Sequence, residues 1–211
     1  MEKQSNQLLA RKRAGWLLFS MSMMMAVPLV SIILYRPNFW SELFGINETM
    51  FRIPLAWILA GSITLGYVIY TMRVVPIVRH NLWKLSWLKF IGIFAALISG
   101  IFEELFFRAR LMDWLDNNNV NVLWQILTSA FVFGVAHGLW GLFSRDKRII
   151  IPTILSTFTL GGVLAITYVV GERNVFPCIM SHIIINLAIE PWLILSAVIG
   201  VDREKMPDGV Q

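Results

Sequence analysis

The stretch LKFIGIFAALISGIFEELFFRARLM, residues 88–112, decides the fold. Its first part, residues 88–102, is a largely apolar run of the kind that crosses a membrane, and this run ends at two adjacent glutamates, Glu103 and Glu104. On hydropathy alone, a helix should stop there. Residues 102–112 nevertheless contain good helix formers and neither Gly nor Pro. We therefore expect the helix to continue and to hold both carboxylates at membrane depth.

The whole chain has the composition of a membrane protein. Of its 211 residues 57% are apolar and 15% charged, with a mean hydropathy of +0.67, whereas soluble domains have about 45–50% apolar and about 25% charged residues. This composition excludes a cytosolic enzyme, a disordered chain and a nucleic-acid module. We therefore interpret the basic residues behind the net charge of +5 as signals of membrane orientation, and not as a surface that binds nucleic acid. The single cysteine, Cys178, excludes an internal disulfide and a cysteine-cluster metal site, and we expect it to pack as a small apolar side chain.

Apolar runs of about twenty residues predict an all-α integral membrane protein with about six transmembrane helices. The predicted spans are residues 14–35, 51–72, 88–112, 122–143, 149–170 and 175–199. If both ends lie in the cytoplasm, 13 of the 18 Lys and Arg residues fall on the inner side, as the positive-inside rule requires. The inner segments are then 1–13, 73–89, 144–148 and 202–211. We divide the chain into three parts: a two-span N-terminal region, residues 1–87; a four-span transmembrane core, residues 88–200; and a short cytoplasmic tail, residues 201–211.

Ionisable side chains inside the spans indicate a functional site, because each costs at least about 2.5–3.5 kcal/mol at that depth. Three helices contribute such polar sets: Glu103, Glu104 and Arg108; His137; and His182 with Asn186. Glu104 and Arg108 are four residues apart, so they share a helix face and can form an ion pair. Glu103 is rotated by about 100° from Glu104 and has no cation four residues on. It is therefore better placed to take and return a proton.

Each polar set also has a purely structural interpretation. Glu104 and Arg108 can be an ion pair within one helix, and His137 can be a histidine packed at a close helix contact. His182 and Asn186 can form interhelical hydrogen bonds. Gly134 and Gly138 beside His137 favour the close contact. Glu190 continues the polar stripe of the last helix, and we expect it to reach water near the cytoplasmic end. Three such sets on three helices seldom occur together by chance, which favours a functional site.

The three sets form motifs that resemble those of the intramembrane glutamic endopeptidases related to the type II CAAX prenyl proteases, also called the CPBP or Abi family. In the family's order they are E-E-x-x-x-R at 103–108, F-x-x-x-H at 133–137 and H-x-x-x-N at 182–186. The resemblance covers roughly residues 88–195. Ala109 replaces a usual Gly and Ser181 a frequent Ala, but both residues are small, so close helix packing is retained.

The resemblance implies that the chain hydrolyses a peptide bond within the membrane, with no metal or other cofactor. The implied roles are water activation by Glu103 and His137, orientation of that pair by Glu104 and Arg108, and oxyanion stabilisation by His182 and Asn186. General chemistry agrees, because hydrolysis needs a desolvated base and donors aimed at the developing oxyanion. Phe133, one turn from His137, is expected to form a cavity wall that excludes water.

Three other functions remain open. Glu103, His137 and His182 are a possible ligand set for a catalytic zinc ion, although H-E-x-x-H is absent. A proton-coupled transporter would also align carboxylates and histidines, but the two halves of the chain lack the symmetry expected of one. A non-catalytic membrane partner, such as a bacteriocin-immunity protein, would tolerate loss of the base.

The expected partners are the lipid bilayer and a membrane-bound peptide or protein substrate, with no nucleic acid. A small six-span member of the family is expected in the bacterial plasma membrane, where it would cut membrane-bound pheromone precursors or leader peptides. At about 1.5 Å per residue, Glu103 lies about 22 Å from Leu88. The third span should therefore begin in the cytoplasm, with the catalytic cavity opening inward.

Overall fold

The computed structural model describes residues 2–48, 50–144 and 147–204, and every regular element within those ranges is a helix. The elements are α1 (Glu2–Leu34), α2 (Phe39–Glu42), α3 (Pro54–Val74), α4 (Pro76–Asn81), α5 (Trp87–Glu104), a π-helical segment (Leu105–Met112), α6 (Asp113–Asn117), α7 (Val122–Ser144), α8 (Lys147–Val170) and α9 (Phe176–Glu204). Of the predicted tail, 205–211 lies outside the described residues, as do 145 and 146 of the basic segment.

Six of these helical stretches are long and apolar enough to cross a membrane, which confirms the all-α fold with six spans. They are Asn6–Leu34, Pro54–Val74, Trp87–Asn117, Val122–Leu139, Ile150–Val170 and Phe176–Gly200. The first helix begins well before the predicted residue 14, because Arg and Lys at 11–13 are good helix formers and continue it. The side of the membrane on which the two ends of the chain lie stays a prediction, as does the division of the chain into regions at residue 88.

The third span continues through its two glutamates, as predicted, but its backbone changes type directly after them. Leu105–Met112 is π-helical, a wider turn that is often found at functional sites. The buried Ser129 on α7 donates a hydrogen bond to the carbonyl oxygen of Phe107, at 3.1 Å. The π-helical segment is thus hydrogen-bonded to α7 through one of its own backbone carbonyls.

Glycines allow α5 and α9 to approach closely and run antiparallel. A Cβ atom on Gly92 would lie 2.7 Å from Cγ of Pro191, and one on Gly100 would lie 2.7 Å from Cγ1 of Ile183. Neither position has room for a side chain, so these glycines set the distance between the two helices. Around this pair, α1 packs on α5 and α9, while α3 packs on α8 and α9.

The hairpin of α7 and α8 is also closely packed. A Cβ on Gly134 would lie 3.1 Å from the carbonyl oxygen of Ile154, and one on Gly138 would lie 2.6 Å from Cγ1 of the same residue. The close helix contact that the sequence indicated beside His137 is therefore present.

A polar cluster ties the end of the third span to the turn between α8 and α9. Arg173 donates from Nη1 to Oδ1 of Asp113 at 2.7 Å and from Nη2 to Oε1 of Gln125 at 2.8 Å. The Tyr168 hydroxyl donates to Oδ1 of Asp113 at 2.9 Å. Arg173 has a φ of 62°, a conformation that costs a non-glycine residue about 1–3 kcal/mol. These bonds offset that cost and fix the helices that carry the polar sets at one end of the bundle.

Candidate active site

The three predicted polar sets come together between α5, α7 and α9. Oε2 of Glu103 lies 3.5 Å from Nε2 of His137 and 3.9 Å from Nε2 of His182. The exposed fractions of these side chains are 11% for Glu103, 21% for His137 and 1% for His182. Access to the carboxylate is therefore from the His137 side.

Oε2 of Glu103 is the centre of this arrangement. It is buried and has no hydrogen-bond partner within the part of the chain that the structure describes. Buried polar atoms are rarely left without a partner, and those that are often mark a place where a water or a substrate group binds. The oxygen and the two imidazole nitrogens beside it therefore form a small polar space suited to a third group.

The backbone sets the protonation pattern of His137. Its Nδ1 lies 2.9 Å from the carbonyl oxygen of Phe133, one helical turn earlier. A carbonyl oxygen only accepts, so Nδ1 carries the hydrogen, and Nε2 of the neutral ring is an acceptor that faces Glu103. A single proton can consequently pass between Glu103 and His137, directly or through a water.

A buried chain of bonds holds His182 in place. Oε1 of Glu104 accepts a hydrogen bond from Nη1 of Arg108 at 3.0 Å and another from Nδ1 of His182 at 2.7 Å. Nη2 of Arg108 donates to the carbonyl oxygen of Gly161 at 3.1 Å. The predicted ion pair of Glu104 and Arg108 is thus present, and it also orients His182 so that its Nε2 faces Glu103. The bond between Glu104 and His182 was not anticipated from the sequence.

Asn186 is bonded to a residue that the sequence analysis missed. Its Nδ2 donates to Oγ of Ser99 at 3.0 Å, and within the described residues it is bonded to neither histidine of the site. Ser99 lies four residues before Glu103, hence on the same face of α5. That spacing is the signal that could have identified it.

Phe133 forms the wall behind the two histidines. Its ring is fully buried, with its centroid 4.3 Å from that of His137 and 5.6 Å from that of His182. The guanidinium carbon of Arg108 lies 4.6 Å from the same ring centroid. A Cβ on Gly161 would lie 3.1 Å from the Phe133 ring, so the wall needs glycine behind it. Sequence analysis missed Gly161, because this residue has no side chain and contributes through its backbone carbonyl.

Glu190 differs from the expectation that it reaches water. Its Oε2 is buried and, among the described residues, has no hydrogen-bond partner. The physical reason is that α9 packs against α1, α3 and α5, so neighbouring helices can cover a polar side chain on it whatever its distance from the end of the span.

The residues present also fit a metal ion. Glu103, His137 and His182 each offer one ligand atom, and these atoms lie within 4.8 Å of one another. Two histidines and one glutamate are a known donor set of catalytic zinc. Both imidazoles bind an oxygen through Nδ1, as metal-binding histidines usually do. The same side chains can therefore surround a water or a divalent cation.

Comparison with known proteins assigns part of the chain to a family. A family model described as type II CAAX prenyl endopeptidase Rce1-like matches residues 85–188, about half of the chain. That range contains all three polar motifs and runs from just before α5 into α9. No curated protein and no solved structure matches the chain.

Proposed function

This chain belongs to the type II CAAX prenyl endopeptidase Rce1-like family through residues 85–188, and from that membership we propose that it cleaves a membrane-bound substrate with Glu103 as the base. In general terms it is a CAAX-protease-like intramembrane endopeptidase with six membrane-spanning helices. The observation that carries the finer mechanism is the buried, unpartnered Oε2 of Glu103 beside two imidazole Nε2 atoms.

The attacking group is a water held by Glu103 and His137. Their facing atoms are 3.5 Å apart, so a water about 2.8 Å from each can bond to both. As the water oxygen attacks the peptide carbonyl carbon, one of its protons passes to Glu103 and the carbonyl oxygen becomes an oxyanion. When the carbon–nitrogen bond breaks, that proton goes to the leaving nitrogen, directly or through Nε2 of His137. The products are a carboxylic acid and an amine.

His182 and Asn186 stabilise the oxyanion. Nδ1–H of His182 is bonded to Glu104, so the ring donates through Nε2 in its doubly protonated form. The Asn186 amide has two hydrogens, of which one is bonded to Ser99 and the other can be donated to the oxyanion. Donors held in place before the reaction stabilise a transition state more than mobile ones do.

Glu104 and Arg108 act as positioning residues. They are fully buried, and among the described residues Arg108 is bonded to Glu104, which in turn is bonded to His182. Their bonds fix the direction of the His182 ring in a region from which solvent is excluded.

We place the enzyme in the bacterial plasma membrane with both ends in the cytoplasm. The excess of basic residues in the predicted inner segments supports this orientation. The proposed substrates are membrane-bound peptides such as pheromone precursors or leader peptides, entering a cavity that opens inward.

Profiling of protein N-termini in membranes from expressing cells tests the proposal. The cells carry wild type, Glu103→Gln, His137→Ala or the control Glu48→Gln, which makes the same chemical change at an exposed glutamate. We expect new N-termini with wild type and the Glu48 variant and none with the other two. Identical N-terminal profiles from all four kinds of cell, with bacteriocin immunity conferred by every variant, would instead indicate a non-catalytic partner of the immunity type.

A zinc-dependent form of the same hydrolysis is the second candidate, favoured by the spacing of Glu103, His137 and His182. Bound zinc would supply a Lewis acid and an activated water. Exhaustive chelation of the purified protein separates the two forms. Undiminished cleavage excludes zinc, whereas loss of cleavage that zinc alone restores supports it.

A further inference from the structure

The last helix contains a proline far from both of its ends. Pro191 lies within α9, which runs from Phe176 to Glu204. Proline has no N–H group, so the carbonyl oxygen of Leu187, four residues earlier, loses its helical donor. A backbone carbonyl that is left without a donor costs free energy, and another group of the protein can supply that donor.

Lys89, near the start of α5, satisfies it. Its Nζ donates to the carbonyl oxygen of Leu187 and lies 3.5 Å from that of Ala188. The ammonium group is also 5.9 Å from the ring centroid of Trp192. Oγ of Ser86 accepts a hydrogen bond from the backbone N–H of Lys89 at 3.3 Å. This bond caps the start of α5 and holds the backbone of Lys89 in the first turn of the helix.

The same face of α5 also receives the proline ring. Gly92 follows Lys89 by three residues, and a Cβ there would lie 2.7 Å from Cγ of Pro191. Lys89 thus holds the freed carbonyl and Gly92 accommodates the ring that freed it. We call these two residues the clamp.

A lysine near a helix end usually extends its ammonium group towards water or lipid headgroups. Lys89 instead directs a full charge into the backbone of a neighbouring helix, although it lies outside all three catalytic motifs. Asn186 immediately precedes Leu187, and His182 lies one turn before Asn186 on α9. The position of both relative to Glu103 therefore depends on how α9 is held against α5.

We propose that Lys89 is a positioning residue, which fixes the part of α9 around Pro191 against α5 and so sets the geometry of Asn186 and His182. The catalytic consequence rests on the proposed function, but the clamp does not. Its defining property is that the requirement for Lys89 is created by Pro191. Restoring an N–H group at residue 191 should remove that requirement.

The experiment is a double-mutant cycle in the full chain, in lipid nanodiscs. The variants are wild type, Lys89→Met, Pro191→Ala and the double variant, each measured for thermal unfolding and for kcat and KM on a cleaved peptide. We expect Lys89→Met to lower kcat about ten- to hundredfold with KM little changed, and to lower the unfolding midpoint. In the Pro191→Ala background the same change should have less than about a twofold effect on kcat.

Equal losses from Lys89→Met in both backgrounds, or no loss in either, overturn the proposal. Equal losses would indicate that Lys89 acts elsewhere, for example on an anionic lipid headgroup. If Pro191→Ala does not fold, Lys89→Arg decides the matter. Arginine can donate to both carbonyls, so kcat should stay near the wild-type value, and a loss as large as that of methionine refutes the clamp.

The two readouts separate this inference from the proposed function. Coupling between Lys89 and Pro191 in unfolding, with no cleavage by wild type, would retain the clamp and refute the protease mechanism. Coupling in unfolding with kcat unaffected by Lys89→Met would refute the positioning role while leaving the proposed function intact.

Discussion

Replacing Arg108 with methionine should destabilise the protein more than replacing both members of its ion pair. Arg108 is 0% exposed. Its guanidinium bonds to Oε1 of Glu104 at 3.0 Å and to the carbonyl oxygen of Gly161 at 3.1 Å. Arg108→Met leaves the Glu104 carboxylate buried without its guanidinium partner and the Gly161 carbonyl without this donor.

The magnitude follows from these contacts. Removing one partner of a buried ion pair costs about 3–5 kcal/mol. Glu104 keeps its bond from His182 at 2.7 Å, so we expect the lower end, about 3 kcal/mol. In the double variant with Glu104→Gln no buried charge is left uncompensated. The loss should then be about 1–2 kcal/mol, as expected for one or two hydrogen bonds.

Equilibrium unfolding in mixed micelles, followed by the fluorescence of the nine tryptophans, measures both variants. Arg110→Met is the matched control, because it makes the same change at an exposed arginine two residues away. An Arg108→Met variant as stable as Arg110→Met would contradict the expected loss. A double variant as unstable as Arg108→Met alone would contradict it equally.

Two further predictions concern residues around the site. Ser99→Ala removes the hydrogen-bond acceptor that orients Asn186, and one such bond is worth about 0.5–1.5 kcal/mol. In steady-state kinetics kcat should therefore fall by up to about tenfold with KM unchanged. An unchanged kcat would mean that Ser99 has no part in the site. Glu190→Met removes a buried polar group whose Oε2 has no hydrogen-bond partner among the described residues, so the unfolding midpoint should rise. A lower midpoint would mean that this carboxyl group is bonded in the folded protein.

Local features of the sequence predicted the spans and part of the site. Hydropathy over about twenty residues is a local property, so six spans could be identified without knowing their packing. The bond between Glu104 and Arg108 follows from their spacing within one helix. The same rule applied to Glu103 would have identified Ser99 one turn earlier.

The remaining features depend on how separate helices pack. Glu104 and His182 are 78 residues apart, and Arg108 and the Gly161 carbonyl are 53 apart, so no local pattern links them. The π-helical segment contains good helix formers like any α-helix, and its backbone is bonded by Ser129 from α7. Glu190 was misjudged because the packing of α9 against α1, α3 and α5, unlike the distance of a residue from the end of its span, cannot be read from the sequence.

The buried chain of bonds through Glu104 has a consequence for how the protein is made. The third span carries two carboxylates and Arg108, but the partners at Gly161 and His182 are synthesised 53 and 78 residues later than the residues they bind. Until the ribosome has completed α9, Glu104 lacks its bond to His182, and lipid provides no substitute for it. The third span is therefore expected to remain beside the insertion machinery, out of full contact with lipid, until the sixth span arrives. A nascent chain that ends before Phe176 should be recognised by quality-control proteases as unfinished.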